Sequence, residues 1–339
     1  MKKLILLIIV IAMGFSTANA TIWRVNNMPD NQADFTTLTD AIDAASDNDI
    51  IYLEGTGAVY DEGTIELTKK LTIYGSGYFL LENDETQASK LPTILQANLY
   101  FFEGSEGTIV SGIKFTSGAL RIHTNNITFE RCYVNTEMRM YGTDRAISNF
   151  MMKQCYILGD IGVWGLSYNS TNIVFMNNIF YYNNLNVNHE LGNYIVKNNI
   201  FVTGYSKIIA QNAIIQNNIV EGGIPCTAAD NNQVENNIIG IGGDMPGTGS
   251  NNIGEIDMLE LFVDYPDGAN TSPDAKFELS SGSAAQGHGV GGIDCGVFDG
   301  DFPYILSGLP PIPRFYESDI STVGTAQGLR VSIKAKSQH

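Results

Sequence analysis

Apolar and polar positions alternate in short runs along most of this chain, and between residues 127 and 239 the alternation repeats. The segments ITFERCYV, FMMKQCYI, IVFMNNIF, YIVKNNIF, AIIQNNIV and NQVENNII share one pattern. It reads apolar, any, apolar, two variable residues, Cys or Asn, apolar; only the last copy starts with a polar residue. The aligned positions are Cys132, Cys155, Asn178, Asn199, Asn218 and Asn237, spaced by 23, 23, 21, 19 and 19 residues. A period near 21 marks a stacked repeat. Each copy is too short and too rich in β-branched and aromatic residues for a helical hairpin, so strands joined by a sharp bend are predicted. In the third copy Ile173 and Phe175 are expected to point inward, Asn177 and Asn178 to bend the chain, and Ile179 to point inward again. Asn tolerates the left-handed backbone that such a bend needs. Its amide can also bond to the same amide one coil away.

Coils stacked at about 4.8 Å place equivalent residues in columns. One column is Phe129, Met152, Phe175, Val196, Ile215 and Val234; another is Tyr133, Tyr156, Ile179, Ile200, Ile219 and Ile238. No single coil buries its apolar residues, but a stack does. The predicted fold class is therefore all-β, a parallel β-helix or solenoid, right-handed by the general rule for parallel crossovers.

The ends differ from the repeat. In residues 21–46, Leu38, Ala41, Ile42 and Ala45 form one helical stripe, with Thr37 and Asp40 at its start. This predicts an N-terminal α-helical cap over the open first coil. The run DNDIIYLEGTGAVYDEGTIELTKKLTIYGSGYF then sets a strand, a Gly-rich turn, an apolar strand and the LTIYGSG turn in order. With the repeat, this resembles the opening coils of pectin-lyase-like proteins. The likeness covers most of the chain after residue 20 and implies a right-handed parallel β-helix. That fold carries lyases, hydrolases, esterases and adhesins, so no single activity is implied.

Residues 80–92 read as a polar loop, and GTIVSGIKF as a further coil with Gly112 at the Cys/Asn position. Residues 185–192 and 221–231 read as lengthened turns. From Asn251 the text resembles the final coil of secreted β-helix proteins, with strands expected around Phe262–Asp264 and Phe277–Leu279. Residues 301–339 form a Pro-rich and then strand-like tail, expected to cover the last coil or lie along the solenoid. The predicted organisation is thus a leader over 1–20, a β-helix over 21–300 and the tail over 301–339.

Charge and the N-terminus narrow the setting. Lys2 and Lys3, the apolar run Leu4–Phe15 and Ala18-Asn19-Ala20 form a secretion signal, with cleavage expected after Ala20. The apolar run is shorter than the ~20 residues of a membrane span, and none is expected after cleavage. The implied location is extracellular, cell-surface or periplasmic. Removing two lysines takes the formal charge from -17 to -19, which argues against nonspecific nucleic-acid binding and against anionic membranes. No pattern in the sequence sets the oligomeric state.

One segment departs from the acidic trend. Lys114, Arg121, Arg131, Arg139, Arg145 and Lys153 fall within 40 residues. Adjacent coils could gather them on one face, either as a cross-coil salt-bridge ladder or as a groove for an acidic polysaccharide. Tyr141, Trp164 and Tyr168 lie nearby and could stack on sugar rings. The expected role is non-catalytic binding of a polysaccharide or another cell-envelope component. The alternative is a lyase or hydrolase acting on this basic face. For a lyase, Lys153, Arg145 and Arg131 are candidate bases, with Asp144 and Asp160 as candidate calcium ligands. No cofactor is expected; calcium alone would suit the lyase alternative. Asp144 lies 12 residues past its coil's ladder position and Asp160 only 5, so they do not stack. Gly287-His288-Gly289 matches one element of polygalacturonases, but their other elements are missing. Cys132 and Cys155 are expected as free, stacked thiols, and Cys226 and Cys295 sit too many coils apart to pair.

Overall fold

The computed structural model describes residues 20–142, 145–204, 206–268, 271–321 and 328–337. The segment expected to be a secretion signal, apart from Ala20, and Asp144 lie outside the described residues. The chain winds as a parallel β-solenoid. One sheet takes ten strands in strict chain order. They run from Ile22–Val25 through Ile50–Leu53, Thr72–Tyr74, Ile109–Ser111, Thr128–Glu130, Met151–Lys153, Ser170–Met176, Gly192–Lys197 and Ala213–Gln216 to Gln233–Glu235. This is the first face.

The other large sheet begins as long strands, Val59–Leu67, Ile94–Phe101 and Lys114–Ile122, and then divides. The start of Lys114–Ile122 pairs with Tyr133–Val134, and its end pairs with Glu137–Tyr141. From there a second face continues through Tyr156–Ile157, Ile179–Tyr181, Ile200–Val202, Ile219–Val220, Ile238–Gly240 and Ile253–Ile256. A third face runs through Ile161–Trp164, Leu185–Val187 and Ile208–Ala210. Residues 185–187, expected in a lengthened turn, are thus a strand of the third face.

Both expected columns are present in register. Phe129, Met152, Phe175, Val196, Ile215 and Val234 stand one above another and are fully buried inside the coil. Tyr133, Tyr156, Ile179, Ile200, Ile219 and Ile238 also align. This second column, however, faces outward. The inward positions are the next residues along, Val134, Ile157, Phe180, Phe201, Val220 and Ile239. Side chains alternate on a strand, and the bend inserts one inward Asn first, so Ile179 must point out.

The bend divides its work between two residues. Arg131, Gln154, Asn177, Asn198, Asn217 and Asn236 take the left-handed conformation, with φ between 53° and 59°. Gly112 occupies this position with φ 72°, one place earlier than expected, so Ile113 holds the Cys/Asn position. The following residue points inward and builds a ladder. Asn178 N and Nδ2 donate to Asn199 Oδ1 at 2.9 and 3.0 Å. Asn199 donates likewise to Asn218, Asn218 to Asn237, and Asn237 to Asn252. Cys132 and Cys155 open the same ladder as free buried thiols, and Cys226 and Cys295 are also free.

What covers the outward column is the C-terminal part of the chain. After Ile253–Ile256 it turns back along the solenoid as an irregular strap. Met258, Leu261, Phe262, Phe277, Cys295, Val297 and Tyr304 pack on Tyr156, Ile179, Ile200, Ile219 and Ile238 to form a second core. Phe262 and Leu279 meet in an isolated antiparallel bridge, and Ala275–Phe277 is a short 3-10 helix. The strands expected there are absent, because the segment serves the outer surface and adds no coil. The left-handed bend residues grip this strap. Asn236 Nδ2 donates to His288 O at 2.7 Å, Asn177 Nδ2 to Val297 O at 2.8 Å, and Gln154 Nε2 to Pro303 O at 2.5 Å. The chain ends in the antiparallel pair Arg314–Ile320 and Val331–Lys336.

At the other end, Leu38–Ala44 forms the helical cap, with Thr37 Oγ1 accepting from Asp40 N at 3.1 Å. Leu38, Ala41, Ile42 and Ala45 are buried against the interior core, as their spacing predicts. Among the described residues no helix is long and apolar enough to cross a membrane.

Candidate functional site

The six cations do not share a face. Strand alternation and the coil corners sort them into two groups and a single residue. Arg131 lies under the strap, 6% exposed, with Nη1 donating to Leu309 O and Nε to Gln154 Oε1, both at 3.0 Å. Burial pulls its guanidinium below the usual Arg range. Lys153 pairs with Glu130 at 3.0 Å and stands 4.4 Å from the Phe302 ring centroid. Lys114 Nζ stands 5.0 Å from the Tyr133 ring centroid. These three belong to the corner that the strap covers. Arg145 pairs with Glu103 at 2.7 Å at another corner.

Arg121 and Arg139 lie on the outer surface of the third face. They are register neighbours in one column, Tyr100, Arg121, Arg139, Gly162, Asn186 and Ile209. Both guanidiniums hold the Glu137 carboxylate, Arg139 at 2.9 Å and Arg121 in closer contact. Arg139 Nη1 also donates to Asp160 O at 3.1 Å. Two residues further along each strand, about 7 Å away, a column of rings runs beside the guanidiniums. Phe102 stacks on His123 at 4.8 Å between centroids, and His123 on Tyr141 at 5.1 Å with the planes 7° apart. Arg121 stands 5.8 Å from the Tyr141 ring centroid. Trp164 continues the column by register with Tyr141, although its side chain is outside the described residues.

Below Arg139 the surface opens into a groove of about 230 Å³, lined by Arg139, Asp160, Gly162, Asn184, Asn186 and Ile209 among others. Gly162 makes the opening: a Cβ there would lie 3.6 Å from Arg139 Nη1 and 3.2 Å from Asn186 O. The candidate site is this ledge of rings, the two guanidiniums and the groove beside them. It offers a column of half-buried stacked rings, and donors and acceptors side by side for hydroxyl groups.

Of the residues singled out from sequence, the third face brings together Arg121, Arg139, Tyr141 and Asp160. Tyr168 stands exposed in the connection that follows Trp164. Among the described residues no group of three or more His, Cys, Asp or Glu is placed to hold a metal ion. Asp264 accepts from Thr271 Oγ1 at 3.1 Å and Asp299 from Asp294 N at 2.9 Å. His288 belongs to the strap, its Nε2 2.7 Å from Asn251 O. Several buried titratable groups with displaced pKa values lie at the second core, away from this site. Burial raises Tyr78, Tyr304 and Asp274 and lowers Lys276.

Sequence reasoning missed Phe102, His123, Glu137, Gly162 and Asn186. A signal for the rings exists. LYFF, LRIH, MRMY and IGVW each end in an aromatic or imidazole ring, at spacings of 21, 18 and 23 residues. No protein-family model matches the chain, and no curated protein is significantly similar to it.

Proposed function

We propose that the chain is a secreted scaffold that binds carbohydrate on its third face without catalysing a reaction on it. The observation that carries this reading is the stack Phe102, His123 and Tyr141 running beside Arg121 and Arg139. A row of stacked rings one coil apart gives successive sugar units a repeated apolar contact, and the adjoining polar column suits their hydroxyls. Secretion is supported by Lys2-Lys3, the Leu4–Phe15 run and the Ala18-Asn19-Ala20 site.

The lyase alternative has less support. It needs a proton-abstracting side chain beside carboxylates in an open cleft. Lys153 meets one carboxylate, Glu130, and lies beneath Phe302 and the strap. Arg145 meets Glu103 at an outer corner. A glycan array with the purified chain tests binding, and Tyr141→Ala is expected to weaken any hit about tenfold. Release of unsaturated product from an acidic polysaccharide would instead establish the lyase.

A further inference from the structure

Resting on that reading, we infer that the third face takes a neutral glycan rather than an acidic one. The acidic preference suggested by the basic segment depends on uncommitted positive charge, and the site has little of it. Arg121 and Arg139 converge on one carboxylate, Glu137. Asp160 lines the groove next to Arg139. At the end of the ring column Arg145 faces Glu103. Three guanidiniums thus stand with the Glu137 and Glu103 carboxylates, and Asp160 adds an acidic residue at the groove, on a chain whose formal charge is -17. At physiological ionic strength fields beyond about 8 Å are screened, so these local groups decide. A uronate or sulfate reaching Arg121 or Arg139 meets Glu137 at the same place, and one entering the groove meets Asp160.

A hydroxyl fits the same surface. It donates to Glu137 or Asp160 and accepts from Arg139 or the Asn186 amide, and it does both at once. The absent side chain at Gly162 keeps the groove open between Arg139 and Asn186, and the Tyr141 ring lies two residues beyond Arg139. The ligand class is therefore an uncharged polysaccharide of several linked hexose or pentose units.

Calorimetric titration of the purified chain with soluble β-glucan, xylan, galactomannan and polygalacturonate, each at low and at high salt, separates the cases. The expected result is binding of at least one neutral polymer with an affinity that salt leaves within about twofold. Gly162→Ala, which fills the groove at a strand position with ordinary φ, is expected to weaken that binding about tenfold. Urea midpoints of wild type and variant confirm that the fold is retained. Binding of polygalacturonate alone, falling steeply with salt, would overturn the neutral assignment and leave the carbohydrate reading standing. Silence with all four polymers overturns both.

Discussion

At the residue scale, the paired bend positions hold the solenoid from two sides. Asn218 is the clearest inward case. Its Oδ1 accepts from Asn199 N and Nδ2, and its Nδ2 donates to Val196 O, Gln216 O and Asn237 Oδ1, all within 3.0 Å. Asn218→Leu has similar bulk but strands those partners in a dry interior. It is expected to lower stability by roughly 3 kcal/mol or more, read as a shift in the urea midpoint. Asp49 carries a pH-dependent counterpart near the cap. Burial alone would raise its carboxyl, but the amides of Ser46 and Thr21 and the Trp23 indole outweigh that, so it lies below the ordinary 3.8. A carboxyl depressed in the folded state stabilises above its unfolded value, and that contribution is lost as pH falls through the folded one. Asp49→Asn should therefore be less stable than wild type at neutral pH, with the gap narrowing as pH drops below 3.8. Urea titrations across an acid series check this, and a gap that stays constant counts against it.

At the element scale, two faces of the coil were legible and the third was not. The first and second faces flank the bend at a constant offset, so Phe129 and Tyr133 keep their place in every copy. The third-face strands start at Glu137, Ile161, Leu185 and Ile208. They lie 5, 6, 7 and 9 residues past Cys132, Cys155, Asn178 and Asn199, and this drift hides them from a fixed-period reading. The candidate site sits on that face, which is why Arg121, Arg139 and Tyr141 were picked out for charge and aromaticity while Phe102 and Gly162 were not. The outward direction of Ile179 was equally hidden, because an apolar residue looks the same in sequence whether a coil or a strap buries it. The strap also explains the doubled Asn of the repeat. Asn177 is its best-placed clamp, with Nδ2 donating to Val297 O at 2.8 Å and Asp299 O at 2.7 Å. Asn177→Ala removes both bonds and puts a side chain less suited to φ 53° at the bend. The expected outcome is faster amide hydrogen exchange across residues 290–309, with the Asn ladder amides of the neighbouring coils still protected. Uniform loss of protection throughout would mean that Asn177 acts on the coil as a whole.

At the scale of the molecule, the protein has two cores joined by a one-residue-thick wall of strand. The interior core would exist for any stack of these coils. The outer core exists only because residues 258–268 and 271–309 return along the second face. Without them Tyr156, Ile179, Ile200, Ile219 and Ile238 would form a continuous apolar stripe spanning five coils. Each such side chain contributes roughly 1.5–3 kcal/mol when taken out of water, and an uncovered stripe of that size is a surface for self-association. The third face, by contrast, carries no part of the strap core and keeps its rings and guanidiniums outward. Covering the second face therefore leaves the third, where the candidate site lies, open to solvent. A chain ending after Ile256 tests this division. It is expected to keep its β signal in circular dichroism, because the interior core and most of the ladder are intact. It should also bind a hydrophobic dye and migrate as oligomers in size-exclusion chromatography. A monomeric, dye-silent truncated chain would mean that the coil can close its second face unaided, and the strap would then be an attachment to the solenoid and not its second half.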